Sequence, residues 1–232
     1  MANCESRIGN SFDKLYLERG IASQRRYPNE SLISFIAAHY FSLSPIERSE
    51  CRILELGCGS GANIWMLARE GFDTWGLDLS PVGIDLCKQV IASWGTQAHL
   101  DVGDMTKLPY PNCYFDVIVD VVSMQHLTLS QHHAAIAEIH RCLKPSGRFF
   151  SYHLGTGSSV CQSCDIEWYD SISINNIPEG YPLAGNGVTS FLDVPTTNVL
   201  YKNFKTLEIE KVHRTYAISN NDVEYLAISV QK

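Results

Sequence analysis

Arg52-Ile53-Leu54-Glu55-Leu56-Gly57-Cys58-Gly59-Ser60-Gly61-Ala62-Asn63 decides how this chain is read, because a short apolar run passes directly into three glycines and then a helical pattern. Glycines at alternate positions let the backbone turn sharply and let a ligand lie against bare amides at the N-terminus of the next helix. Strand, glycine turn and helix in this order make a nucleotide-type binding turn. Alone, the turn leaves open whether it holds a dinucleotide, a phosphate or something else.

Working outward, Ala62 to Glu70 spaces Ile64, Leu67 and Ala68 for a helix that Gly71 closes. Asp73 to Leu79 is a second short apolar strand, and Ser80-Pro81 supplies an N-cap and first-turn proline for a helix over Val82 to Ser93. Further strands are expected over 98–102, 115–121 and 147–153, with a helix from about Ser130 to Leu143. This alternation implies βαβ units and a mostly parallel sheet. Upstream, Leu32, Phe35, Ile36 and Tyr40 share one helical face, and Pro45 with the charged run Glu47-Arg48-Ser49-Glu50 is read as a break before the first strand. Residues 154–200 break the rhythm, being rich in Gly, Ser, Asn and Pro, and a helix resumes near Thr196. Two alternating segments, 207–212 and 223–230, joined through Ser219-Asn220-Asn221-Asp222, read as a closing antiparallel hairpin.

At 232 residues the chain is read as one domain. Its net charge of −7, with no cluster of Lys and Arg, argues against a nucleic-acid surface. No apolar run approaches the roughly 18 residues that a membrane span needs, and the N-terminus lacks a basic start followed by an apolar segment. A cytoplasmic protein without membrane contact is the expectation. Cys161-Gln162-Ser163-Cys164 has no second CxxC nearby and is a weak metal or redox signal.

Three observations narrow the glycine turn. Its spacing is GxGxG, preceded by Glu55; Asp78 follows 21 positions (78 − 57) after Gly57, where a carboxylate can grip both hydroxyls of a ribose; and Gly103-Asp104-Met105 follows the third strand. With these residues the chain resembles the class I S-adenosylmethionine-dependent methyltransferases of small-molecule type, from Arg52 to about Tyr152. The motifs are ILELGCGSGAN, GLDLS, GDMTKLPY, YFDVIVD and LKPSGRFF, in that order.

The resemblance implies an α/β fold: a Rossmann-like seven-stranded sheet with an antiparallel last strand. It implies an N-terminal helical lid (1–50), a cofactor-binding core (51–153), a substrate-cap insertion (154–200) and a closing hairpin (201–232). It implies S-adenosyl-L-methionine as cofactor, with Gly57, Cys58, Gly59 and Gly61 along the methionine portion, and Glu55 and Asn63 beside them. Asp78 would bind the ribose, Leu79 and Met105 would sandwich the adenine, and Asp104 would accept from its amino group. Val121 and Gln125 would run under the cofactor. Ser146 stands where a second glycine is commoner, which affects a turn.

Methyl transfer from a sulfonium needs positioning more than acid/base machinery, yet a hydroxyl acceptor benefits from a base. His153, at the end of the fifth strand, and His126, after the fourth, are the candidate catalytic bases. Tyr16, Arg25, Tyr27, Tyr152, Trp168, Tyr169 and Tyr181 are the candidate substrate-binding residues. Within the resembled family, the absence of an Asn/Asp-Pro-Pro-Tyr/Phe turn after the fourth strand argues against amino groups of nucleobases or protein glutamine as acceptors, and with no Asp/Asn cluster to suit magnesium the expected reaction is metal-independent. It is transfer to a hydroxyl or carboxylate oxygen of a small molecule by a monomer or homodimer. N-methylation and a catalytically silent cofactor-binding regulator are the alternatives.

Overall fold

The structure, a computed structural model, describes residues 4–217 and 221–232, with side chains from Phe12 onward. The turn positions Ser219 and Asn220 lie outside the described residues.

A single seven-stranded sheet has the order β3 (His99–Val102), β2 (Asp73–Asp78), β1 (Arg52–Leu56), β4 (Phe115–Val121), β5 (Leu143–Gly155), β9 (Asn221–Gln231) and β8 (Thr206–Tyr216). Strands β1 to β5 pair in parallel, while β9 runs antiparallel between β5 and β8. This is the sheet the resemblance implies. Because β1 and β4 are adjacent and their connections leave in opposite directions, the carboxyl ends of β1, β2 and β4 surround one crevice.

One face of the sheet carries α2 (Glu30–Tyr40) and α4 (Ile64–Arg69), whose Leu32, Phe35, Ile36, Met66 and Leu67 pack on Ile53, Val117, Val119 and Phe150. Each such side chain contributes roughly 1.5–3 kcal/mol by leaving water. Helix α5 (Pro81–Ser93) joins that face through Ile84, Cys87 and Ile91 against Ile64. On the opposite face α6 (Leu129–Cys142) buries Ala135, Ile136 and Ile139 beside Leu200 of α7 (Val194–Leu200).

Before α2 lies a helix, α1 (Cys4–Arg19), followed by a 3-10 turn over Gly20–Ser23. One local expectation changes. The charged run read as a break is itself a helix, α3 (Pro45–Glu50). Its start is fixed by a capping box, in which Ser44 Oγ accepts from the Glu47 amide and Glu47 accepts from the Ser44 amide, with Pro45 in the first turn. Ser146 adopts φ +66, the left-handed conformation a glycine takes without strain. Within 154–200 the chain forms a two-stranded ribbon, β6 (Ser173–Ile174) with β7 (Thr189–Ser190).

Candidate active site

Strand β1 ends at Leu56, and the chain turns through Gly57 and Gly59 at φ +61 and +51. A Cβ on Gly57 would lie 2.2 Å from the Ser123 Cβ, so that position admits no side chain; one on Gly59 would meet only the movable Gln24 carboxamide, and there the left-handed backbone is what favours glycine. At the end of β2, Asp78 Oδ2 accepts the Gly59 N–H at 2.7 Å and Oδ1 accepts the Ser80 N–H at 2.8 Å. Burial raises the Asp78 pKa, and these two donors pull it back. The carboxylate therefore holds the glycine turn in shape from the carboxyl end of β2.

Beside the turn is a cavity of about 230 Å³, lined by Gln24, Arg25, Glu55, Cys58, Asn63 and Val122 among others. Glu55 is buried on its floor. Its Oε1 accepts from Asn63 Nδ2, while its Oε2 has no protein partner. Burial pushes the Glu55 pKa up to about 8, against the pull of Asn63 and Arg25. Asn63 Oδ1 in turn accepts the Asn29 N–H at 2.9 Å, and Asn29 Oδ1 caps α2 at the Leu32 amide. One polar chain thus runs from the first packed helix to the unsatisfied carboxylate. An unpartnered buried carboxylate is costly unless something completes it, and a cationic group suits it best.

Gln24 closes the other side. Its Oε1 accepts from the Ser60 amide at 3.1 Å and from Ser60 Oγ, and its Nε2 donates to Tyr16 Oη at 2.6 Å. Tyr16 is itself buried against Gly83 of α5. Further along the crevice, Leu79 and Val102 are 39% and 53% exposed, an open apolar shelf next to Met105 and to Asp104, whose Oδ1 accepts the Thr106 N–H. The donor set suits a ligand with an ammonium group near Glu55, a vicinal diol near Asp78 and a flat apolar ring on the Leu79 shelf.

After β4, Val122 sits at φ +58, a costly conformation for a β-branched residue. The surroundings hold it there. Its N–H donates to the Tyr152 carbonyl at 2.9 Å, and the next residues are clamped by the buried Asp120, which accepts from the Ser123 and Met124 amides and from Ser151 Oγ. Val121 and Val122 both line the cavity.

The two candidate catalytic histidines lie elsewhere. His153 alternates to the sheet face away from Glu55, fully buried; its Nδ1 donates to the Leu154 carbonyl at 2.9 Å and its Nε2 faces Ser190 Oγ at 3.3 Å. His132 Nε2 meets the same hydroxyl at 3.0 Å, and Ser190 Oγ also lies 3.1 Å from the Gln125 carbonyl. His126 Nδ1 lies 3.3 Å from the Val188 carbonyl, with the Phe12 ring against its own. Neither His126 nor His153 lines the cavity beside the glycine turn. Burial lowers the pKa of all three histidines, to about 4 at His126. Strand alternation explains the correction: with Tyr152 facing the α2 side, His153 must face the other. The histidines fasten the β6–β7 ribbon to the sheet.

Of the substrate candidates, Arg25 lines the cavity, and Tyr152 lies next to it through Val122. Tyr16 supports Gln24 instead. Tyr27 is exposed with its ring edge-on to Trp65, Trp168 and Tyr169 are 41% and 60% exposed, and Tyr181 packs with Phe191, Leu154 and Val223 against the core on the α2 face of the sheet. Gln125 is buried next to His126 rather than in the cavity wall. Sequence reading missed Gln24, Asn29 and Asp120. Only Asn29 carried a local signal, as a capping residue before an amphipathic run.

Residues 53–147 match a family model described as a methyltransferase domain. The chain is 28% identical over 158 residues to the malonyl-[acyl-carrier protein] O-methyltransferase of Serratia marcescens, covering 68% of this chain and 54% of that one. It is 35% identical over 100 residues to the fatty-acid O-methyltransferase of Mycolicibacterium smegmatis, covering 42% and 35%. The matched region thus spans about half or less of these curated relatives. Among solved structures, the Burkholderia thailandensis 1,6-didemethyltoxoflavin-N1-methyltransferase, with 1,6-didemethyltoxoflavin and S-adenosylhomocysteine bound, superposes with a TM-score of 0.66 over 98% of this chain and 88% of that one. At 15% identity that likeness is one of fold.

Proposed function

We infer, from the premise that this chain belongs to the class I S-adenosylmethionine-dependent methyltransferases, that it transfers the cofactor's methyl group to an oxygen of a small molecule, with a carboxylate as the favoured nucleophile. The observation that carries the cofactor assignment is the orphaned Glu55 Oε2 in the cavity beside the glycine turn. Glu55 would receive the α-ammonium group, Asp78 the ribose hydroxyls, and Leu79, Met105 and Asp104 the adenine. When bound, the cofactor supplies a sulfonium methyl whose transfer to a carboxylate breaks one carbon–sulfur bond, forms one carbon–oxygen bond and moves no proton.

That proton balance favours a carboxylate over a hydroxyl, because the cavity wall contains no histidine to act as base. Two of the relatives carry names of O-methyltransferases acting on malonyl and fatty-acid groups, which supports the same reading. Residues of 1–50, through Gln24 and Arg25, would close over the cofactor, and 154–200 would cover the acceptor. The protein's own contribution is then positioning and water exclusion.

The test is transfer of a labelled methyl group to a panel of carboxylic acids, alcohols and amines. Base-labile label on the acids is expected. Base-stable label on amines alone would overturn the oxygen assignment, and cofactor binding with no acceptor methylated would overturn the enzyme reading.

A further inference from the structure

Two side chains of opposite charge line the cavity beside the glycine turn without pairing. Glu55 leaves its Oε2 without a protein partner. Arg25 lines the same cavity while keeping an exposed surface, and among the described residues its guanidinium has neither a hydrogen-bond partner nor a carboxylate within ion-pair distance. Arg26, the next residue, is not part of the cavity wall.

One network holds both charges in place. On either side of Arg25 the chain is tied down: Gln24 Oε1 accepts from the Ser60 amide at 3.1 Å, and the Arg26 carbonyl accepts from Trp65 Nε1 at 3.2 Å. Trp65 is itself fixed, stacked on Trp94 with centroids 4.1 Å apart and edge-on to Tyr27. Further along, the Asn29 N–H donates to Asn63 Oδ1 at 2.9 Å, and Nδ2 of the same carboxamide donates to Glu55 Oε1. Segment 24–29 and Glu55 thus share Asn63. The cation and the anion are set on the wall of one cavity, close enough for Arg25 to favour the Glu55 charge and too far apart to form an ion pair.

A wall that offers an unpaired guanidinium and a half-satisfied carboxylate is complementary to a group carrying both signs. An ammonium alone would be attracted by Glu55 and repelled by Arg25, and a lone carboxylate would meet the reverse. An α-amino acid group carries both charges on one carbon, and the guanidinium presents the fork that its carboxylate accepts.

We propose that Arg25 is a specificity-determining residue of the cofactor site, holding the free α-carboxylate of S-adenosylmethionine while Glu55 holds the ammonium, so that tight binding requires an intact amino-acid end. This rests on the methyl-transfer reading above, and it moves Arg25 from the acceptor to the cofactor.

The experiment titrates the full chain calorimetrically with S-adenosylhomocysteine and with its decarboxylated analogue, in which hydrogen replaces the α-carboxylate while the ammonium and the adenosine remain. The wild type should prefer S-adenosylhomocysteine by about 10- to 100-fold, the contribution of one charge-assisted contact. Arg25→Ala should lose that factor for S-adenosylhomocysteine and bind the analogue no more weakly than the wild type does, which also shows the variant to be folded. Arg25→Lys should restore part of the preference. Arg26→Ala removes a neighbouring positive charge outside the cavity wall and should keep all of it. Wild-type discrimination retained in Arg25→Ala, or lost equally in Arg26→Ala, would overturn the carboxylate assignment while leaving cofactor binding intact. If the wild type bound neither ligand, the methyl-transfer reading itself would fall, and the role of Arg25 with it.

Discussion

Replacing Asp78 by alanine tests the centre of the site. On the proposed assignment the carboxylate receives two ribose hydroxyls, and each hydrogen bond to a charged group contributes roughly 1.5–3 kcal/mol, so affinity should fall by about 3–6 kcal/mol, or roughly 10²- to 10⁴-fold. Asp78 has a second task, because it also accepts the Gly59 and Ser80 amides at 2.7 and 2.8 Å. Part of the loss would therefore come from a loosened turn, and the unliganded variant should be destabilised by about 1–3 kcal/mol. Calorimetric titration with S-adenosylhomocysteine and with its 2′-deoxy analogue separates the two contributions. The wild type should discriminate strongly between these ligands, and Asp78→Ala should bind them about equally, since the missing hydroxyl has lost its partner. If the variant kept the wild-type discrimination, the ribose assignment would be wrong even with affinity reduced.

Three further predictions follow from the same geometry. Burial raises Glu55 from an ordinary value of 4.5 to about 8. The folded state thus holds a proton that the unfolded chain releases above pH 4.5, and stability declines as pH rises through this window, by up to about 5 kcal/mol. Pairing with the cofactor's ammonium should eject that proton: calorimetry near pH 7 in buffers of different ionisation enthalpy should show release of about one proton, absent in Glu55→Gln. Equal proton counts for both proteins would count against the ammonium contact.

His126, His132 and His153 have the opposite sign, because their folded pKa values are depressed. Their contribution is complete above about pH 6.5 and is lost on acidification, at His126 until about pH 4 and by about 3 kcal/mol. Denaturant melts between pH 4 and 7 should show a shallower slope in His126→Asn than in the wild type, and an unchanged slope would contradict the burial argument. At Val122, φ +58 favours glycine, so Val122→Gly should leave thermal stability unchanged or raise it by about 1 kcal/mol. The same variant should weaken S-adenosylhomocysteine binding several-fold because a wall of the cavity is lost. A clear drop in melting temperature would show that the strained backbone is not relieved.

The order of strands and helices, the glycine turn and the positions of Glu55, Asp78 and Asp104 at strand ends were all legible in the sequence, because each depends on local spacing: period 2, period 3.6 and the conformational freedom of glycine. The capping box that makes α3 a helix was equally local and was passed over because its charged residues looked like a solvated break. Tertiary structure alone decided which face of β5 points at the cavity, and so moved His153 from candidate base to fastener of the β6–β7 ribbon. It also brought Gln24 onto Ser60 across 36 residues and left Glu55 half-satisfied beside Arg25. Local spacing carries no information about contacts of that range; they arise only when the segment before β1 folds back over the glycine turn.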